Sequence, residues 1–260
     1  MGYRDRADGY KGISYGGGAL ALVALAFGLR MCSTMAGTIS AAETPATVEA
    51  KLLADPDAGA LFDTIKRTYP AEFDHITLDM LARTKAGATR SELQEALLTD
   101  LIEAGRRHNR DMLQAPHAAF AAYRRAEIAV VESLQTASPT LCAQYLKQGS
   151  FRSNDPNHLP AKVLIDFRQA TWEANAAGRD HPVHRVVARP NAATWRTIAT
   201  AMSAGGLSTS AVRSFFDEAA LRRATPDEQC ALGLGFLRAV DTLPGDRGDD
   251  FYASMSLPST

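Results

Sequence analysis

Lysine, cysteine and net charge are all scarce in this chain of 260 residues. Six lysines stand against 22 arginines, there are three cysteines, and the formal net charge is −1. Three cysteines cannot staple a disulfide-dense scaffold, so the fold must rest on an apolar core. A near-neutral chain lacks the positive surplus that neutralises phosphate backbones, which argues against a nucleic-acid partner. An apolar content of 46% with so little net charge also excludes a chain that is disordered throughout. No H-E-x-x-H, G-x-S-x-G, P-loop or C-x-x-C motif occurs. Gly16-Gly17-Gly18 leads into an apolar run rather than a phosphate-binding helix. Neither a cofactor nor a metal is therefore expected. Period-two alternation is also rare: Val183 to Ala188 is the one strand candidate, and a lone strand is not stable.

What is abundant is alanine, with 46 residues, the best intrinsic helix former. The arginine-over-lysine bias fits GC-rich coding, so arginine position rather than arginine number carries information.

Residues 1–11 are polar and hold Arg4, Arg6 and Lys11. Gly12 to Leu29 then runs without a charge, and its centre, Ala19 to Leu29, is strongly apolar. Eighteen residues just reach the ~17–25 needed to cross a bilayer. Segment 12–31 is read as a transmembrane signal-anchor. A cytoplasmic chain in which this run is a buried apolar helix is the bland alternative, and two other readings stay open. One is a cleaved signal peptide ending near Ala36 or Ala42. The other is a lipoprotein modified at Cys32, which Leu29-Arg30-Met31 fits poorly. Three basic residues before the run against Arg30 after it place the N-terminus inside. The expected location is a bacterial inner membrane, single-pass, with the bulk of the chain periplasmic.

Residues 32–47 read as a linker, 48–242 as a helical domain and 243–260 as a disordered tail. The expected fold class is all-α, an irregular bundle of about eight helices behind the apolar segment. Its clearest helix spans Arg90 to Leu113, with Leu93, Leu97, Leu98, Leu101 and Ile102 as an apolar stripe. Other start signals are Thr47, Pro56, Asn191, Ser208 and the capping box Thr225-Pro226-Asp227-Glu228.

Four groups of residues bear on chemistry. Cys142 and Cys230 each lie on an apolar helical face; in an oxidising compartment they would pair as a disulfide, and otherwise they are buried thiols. Arg179, Arg185, Arg189 and Arg196 make the strongest local charge imbalance and are a candidate surface for an anionic glycan, a lipid headgroup or an envelope protein. His181 and His184 form an H-x-x-H in a loop, too few ligands for a metal. Asp166 and Glu127 sit among apolar neighbours and are the weak candidates for a catalytic acid. The leading expectation is a membrane-anchored periplasmic protein that binds or scaffolds within an envelope assembly. The alternative is an envelope hydrolase acting on a wall or glycan polymer.

Overall fold

The computed structural model describes residues 42–148, 160–185 and 190–256. Among the described residues there are thirteen helices and no strand. The expected apolar segment 12–31 and Arg189 lie outside the described residues. Among those that are described, no helix is long and apolar enough to cross a membrane. The strand candidate is described only over residues 183–185, which form no strand.

Local sequence sets most boundaries. Helix α1 (Pro45–Leu53) opens on a capping box, but its cap is Thr44, not Thr47. Pro45 takes the first helical position, which moves Thr47 to the third, where its hydroxyl bonds the Thr44 N–H at 2.9 Å. Helix α2 (Gly59–Thr68) starts later than Pro56 suggests. Asp55 Oδ1 accepts the N–H groups of Asp57 and Ala58, at 3.0 and 2.7 Å, and holds a turn there. Helix α3 (Pro70–Lys85) ends before Gly87, whose φ of 82° suits only glycine.

The stripe from Leu93 to Ile102 is buried as expected, but the helix that carries it is split. Helix α4 (Arg90–Arg107) stops at His108 and the single turn α5 (Asn109–Met112) follows. The His108 ring is drawn to Glu72 at 3.0 Å and Asp111 at 3.5 Å, and it stacks on Tyr69, fixing a corner where a continuous helix was expected. Helices α6 (His117–Ala137), α7 (Pro139–Gln148), α8 (Ala161–Asp180) and α9 (Ala192–Ala204) follow. Asp217 then divides another expected helix. Its carboxylate caps Ala219 and Ala220, separating α10 (Thr209–Phe215) from α11 (Glu218–Arg223). Helix α12 (Pro226–Asp241) begins on the capping box read from the sequence.

Of the expected disordered tail 243–260, the described residues 243–256 are largely helical. Helix α13 (Arg247–Ser256) occupies this stretch. It docks because Phe251, Tyr252 and Ala253 enter the core and Asp249 is fully buried beneath it.

Helix α6 is the axis of the molecule. Phe120, Tyr123, Val130, Val131 and Leu134 are buried along it, and it packs on α7, α8 and α12. Helix α8 carries the first half of the fold, against α2 and α5, and α12 carries the second, against α7 and α9. Helices α8 and α5 approach closely at Gly178, where an added Cβ would lie 1.7 Å from the Asp111 carbonyl oxygen. Each large buried side chain, such as Trp172 or Phe236, contributes about 1.5–3 kcal/mol of transfer free energy.

Candidate functional site

Two buried polar clusters lie along α6, and both are completed by α13. The first is centred on Glu127, which shares its helical face with Tyr123 and Val130 and is 5% exposed. Tyr145 on α7 donates its hydroxyl hydrogen to Glu127 Oε1 at 3.3 Å. Tyr252 on α13 donates to Oε2 in a short bond. Tyr123 and Tyr252 approach oxygen to oxygen at 3.4 Å. Burial pushes the Glu127 carboxyl up to about 6, and the two tyrosine bonds hold it back from rising further. Arg168 on α8 belongs to the same buried layer at 3% exposure, above the Phe167 ring at 5.6 Å.

The second cluster is centred on Asp249. Arg124 Nη2 lies 3.1 Å from its Oδ1, and Arg185 Nη2 lies 3.2 Å from its Oδ2. His117 Nδ1 meets Oδ2 at 2.8 Å. Arg124 also reaches Asp241 at 3.4 Å, and Arg185 donates to the carbonyls of Leu113 and Ala115 at 2.8 and 2.5 Å. The ligand atoms of His117, Asp246 and Asp249 fall within 4.8 Å of one another, a spacing a metal ion can bridge. Two guanidinium groups already supply the positive charge that such an ion would bring, so the arrangement is that of an ion-pair knot.

The sequence candidates are scattered rather than gathered. Glu127 is buried, whereas Asp166 is a solvated residue paired with Lys162 at 2.7 Å. Asp166 lies between the buried positions of α8, Leu164 and Phe167, and faces outward. The described members of the arginine group differ in exposure. Arg185 is 4% exposed at its side chain and is spent on Asp249 and two carbonyls. Arg179 is half-exposed, bonds Asp180 at 2.9 Å and lies 4.9 Å over the Tyr69 ring. Arg196 is exposed on α9, which begins after residue 189. His181 and His184 are exposed. Cys142 and Cys230 are fully buried, with their sulfurs at disulfide distance and their Cα atoms 5.5 Å apart.

Arg124, Tyr145, Arg168, Asp249 and Tyr252 escaped the sequence reading. A signal existed for Arg124 and Arg168, since each falls on the buried stripe of its helix. Nothing local marks Asp249. A cavity of about 180 Å³ lies beside the second cluster, lined by Arg110, Leu113, Gln114, Val183, His184, Arg185 and Ala253. Comparison with protein-family models, curated proteins and solved structures finds no match for this chain.

Proposed function

We propose that the protein is a membrane-anchored helical module of the bacterial periplasm, with a binding or scaffolding role in an envelope assembly. The observation that carries this reading is the Cys142–Cys230 pair, which ties α7 to α12 across 88 residues inside the core. A buried cystine persists in oxidising compartments and is rare in the cytosol. The uncharged run from Gly12 to Leu29, preceded by three basic residues, supplies the anchor and its inside orientation. The buried carboxylates Glu127 and Asp249 are occupied in joining helices, as suits a rigid module that presents its outer surfaces to partners.

The test is the intact mass of the protein from a native membrane fraction, with thiols alkylated before and after reduction. The expected result is full-length mass with Cys142 and Cys230 alkylated only after reduction. Freely alkylated thiols in the folded protein overturn the compartment, and mass lost near Ala36 or Ala42 overturns the anchor. Crosslinking in intact cells then reads out the assembly.

The hydrolase reading draws on one observation, the Glu127 carboxyl raised to about 6, within reach of a general acid. Both of its oxygens already accept tyrosine hydroxyls. Its sequence partner Asp166 faces solvent, so the pair of opposed carboxyls used by glycosidases is not formed from these two residues. Release of soluble fragments from purified wall polymer by wild type but not by Glu127→Gln would restore it.

A further inference from the structure

The cavity beside the Asp249 knot is built from three separate stretches of chain. Arg110 on α5 and the two residues that follow that helix, Leu113 and Gln114, supply one wall. Val183, His184 and Arg185, beyond the end of α8, supply the other. Ala253 on α13, itself fully buried, completes the lining from within the core. Hydrogen bonds join the two walls. The Val183 N–H donates to the Gln114 carbonyl at 2.7 Å, and Arg185 donates from Nη1 to the Leu113 carbonyl at 2.8 Å and from Nη2 to that of Ala115 at 2.5 Å. The cavity is thus preformed, and a ligand need not order its walls.

Its rim is open to solvent, because Arg110, Val183 and His184 are all exposed. A solute reaches it without any helix moving. Charge then selects the solute. None of the described residues that line the cavity is acidic. The acids nearby, Asp249 and Asp250, face the Arg185 guanidinium at 3.2 and 3.9 Å, so Arg185 belongs to the knot and serves the cavity as wall. Arg110 brings a permanent positive charge to the rim, and His184 and Gln114 bring further N–H donors. The rest of the lining, Leu113, Val183 and Ala253, is aliphatic. Such walls strip water from a dianion without replacing it, whereas a monoanion with an apolar body keeps its head at the rim. A volume of about 180 Å³ is a little above the ~150 Å³ that holds benzene and below the ~300 Å³ of drug-sized pockets. It suits a body of about six carbons.

We infer that this cavity binds a small aliphatic monocarboxylate, with the carboxylate at the rim against Arg110 and His184 and the alkyl body between Leu113, Val183 and Ala253. The site does not depend on where the N-terminal segment resides, so it stands apart from the anchored-scaffold reading.

The experiment titrates the full chain, methyl-labelled and held in detergent micelles, with hexanoate and in parallel with hexylammonium, and follows methyl resonances by NMR. Leu78 on α3 is the control for general partitioning, since it is the other strongly exposed large apolar side chain among the described residues. The expected result is that hexanoate saturably shifts the methyl signals of Leu113, Val183 and Ala253 but not those of Leu78, and that hexylammonium does not. Arg110→Gln should weaken hexanoate about fivefold, the upper range of an exposed ion pair. Ala253→Val, which adds two methyl groups to the cavity, should abolish the saturable shifts at Leu113 and Val183. No saturable shift at these methyls overturns the proposal. Equal shifts at Leu78, equal binding of hexylammonium, or affinity unchanged in Arg110→Gln overturn it as well. If Ala253→Val fails to fold, Arg110→Gln, at an exposed position, still decides.

Discussion

Glu127 joins three helices through two oxygen atoms, and its protonation has a defined effect. Its folded pKa of about 6 lies above the ordinary 4.5, so the folded state binds the proton more tightly than the unfolded chain does. The contribution is complete below about pH 4.5 and is lost as pH rises through about 6, on the order of 2 kcal/mol in all. Asp100 moves in the same direction, raised to about 6 by burial and by the nearby Asp79 charge. Urea unfolding at pH 4.5 and 7 should show the decline. Glu127→Gln should flatten much of it and leave the Asp100 part, because a neutral amide keeps the shape without titrating. A variant whose pH dependence matches wild type would contradict the assignment.

Glycines make a second residue-scale contrast. At Gly178 a methyl group meets the Asp111 backbone, which cannot step aside, whereas at Gly233 it meets the flexible end of Leu146 at 2.5 Å. Gly178→Ala should cost about 2–3 kcal/mol or more and Gly233→Ala distinctly less, by thermal melting of each variant.

At the scale of the element, α13 decides whether the central helix is satisfied. Its Asp249 serves Arg124, Arg185 and His117, and its Tyr252 serves Glu127. Asp249→Asn removes the negative charge and leaves two buried guanidinium groups facing an amide. The expected loss is roughly 3–5 kcal/mol, read by denaturant unfolding. Truncation after residue 246 removes both partners and should leave a helical but loosely packed chain, visible as dye-binding apolar surface.

What could be read from sequence follows the range of the interaction. The caps at Asn191, Ser208 and Thr225 were legible because donor and acceptor lie three residues apart. The buried stripe of α4 was legible because helical period alone sets it. Glu127 could be told from Asp166 by phase, since it lies seven residues from Phe120 and from Leu134, on the buried face of α6. Helix α13 was illegible because Arg247, Gly248, Asp249 and Asp250 look like a solvated turn until their partners arrive. Those partners, Arg124 and Glu127, lie more than a hundred residues earlier. The corner at His108 was hidden for the same reason, as Glu72 lies 36 residues away.

At the scale of the whole molecule, Cys142 and Cys230 stand at disulfide distance and tie α7 to α12 within the second half of the bundle. Closing a loop of 88 residues restricts the unfolded chain, worth about 4–5 kcal/mol in the chain-entropy model. Reduction should therefore lower the melting temperature clearly without changing the helical circular dichroism of the folded state. Cys142→Ala with Cys230→Ala should reproduce the reduced form. An unaltered melting temperature would mean that the two sulfurs are not bonded in the protein as isolated.

The late position of α13 also sets a clock on synthesis. Tyr252 follows Glu127 by 125 residues. At about 5–20 residues per second, a ribosome needs roughly 6–25 s to deliver it after Glu127 has been made. Throughout that interval the central helix carries an ion-pair knot and a carboxyl without their completing partners. The core around Glu127 and Arg124 is thus not finished until α13 has been released. Until then Glu127 lacks one of its two tyrosine donors and Arg124 lacks the buried carboxylate of Asp249.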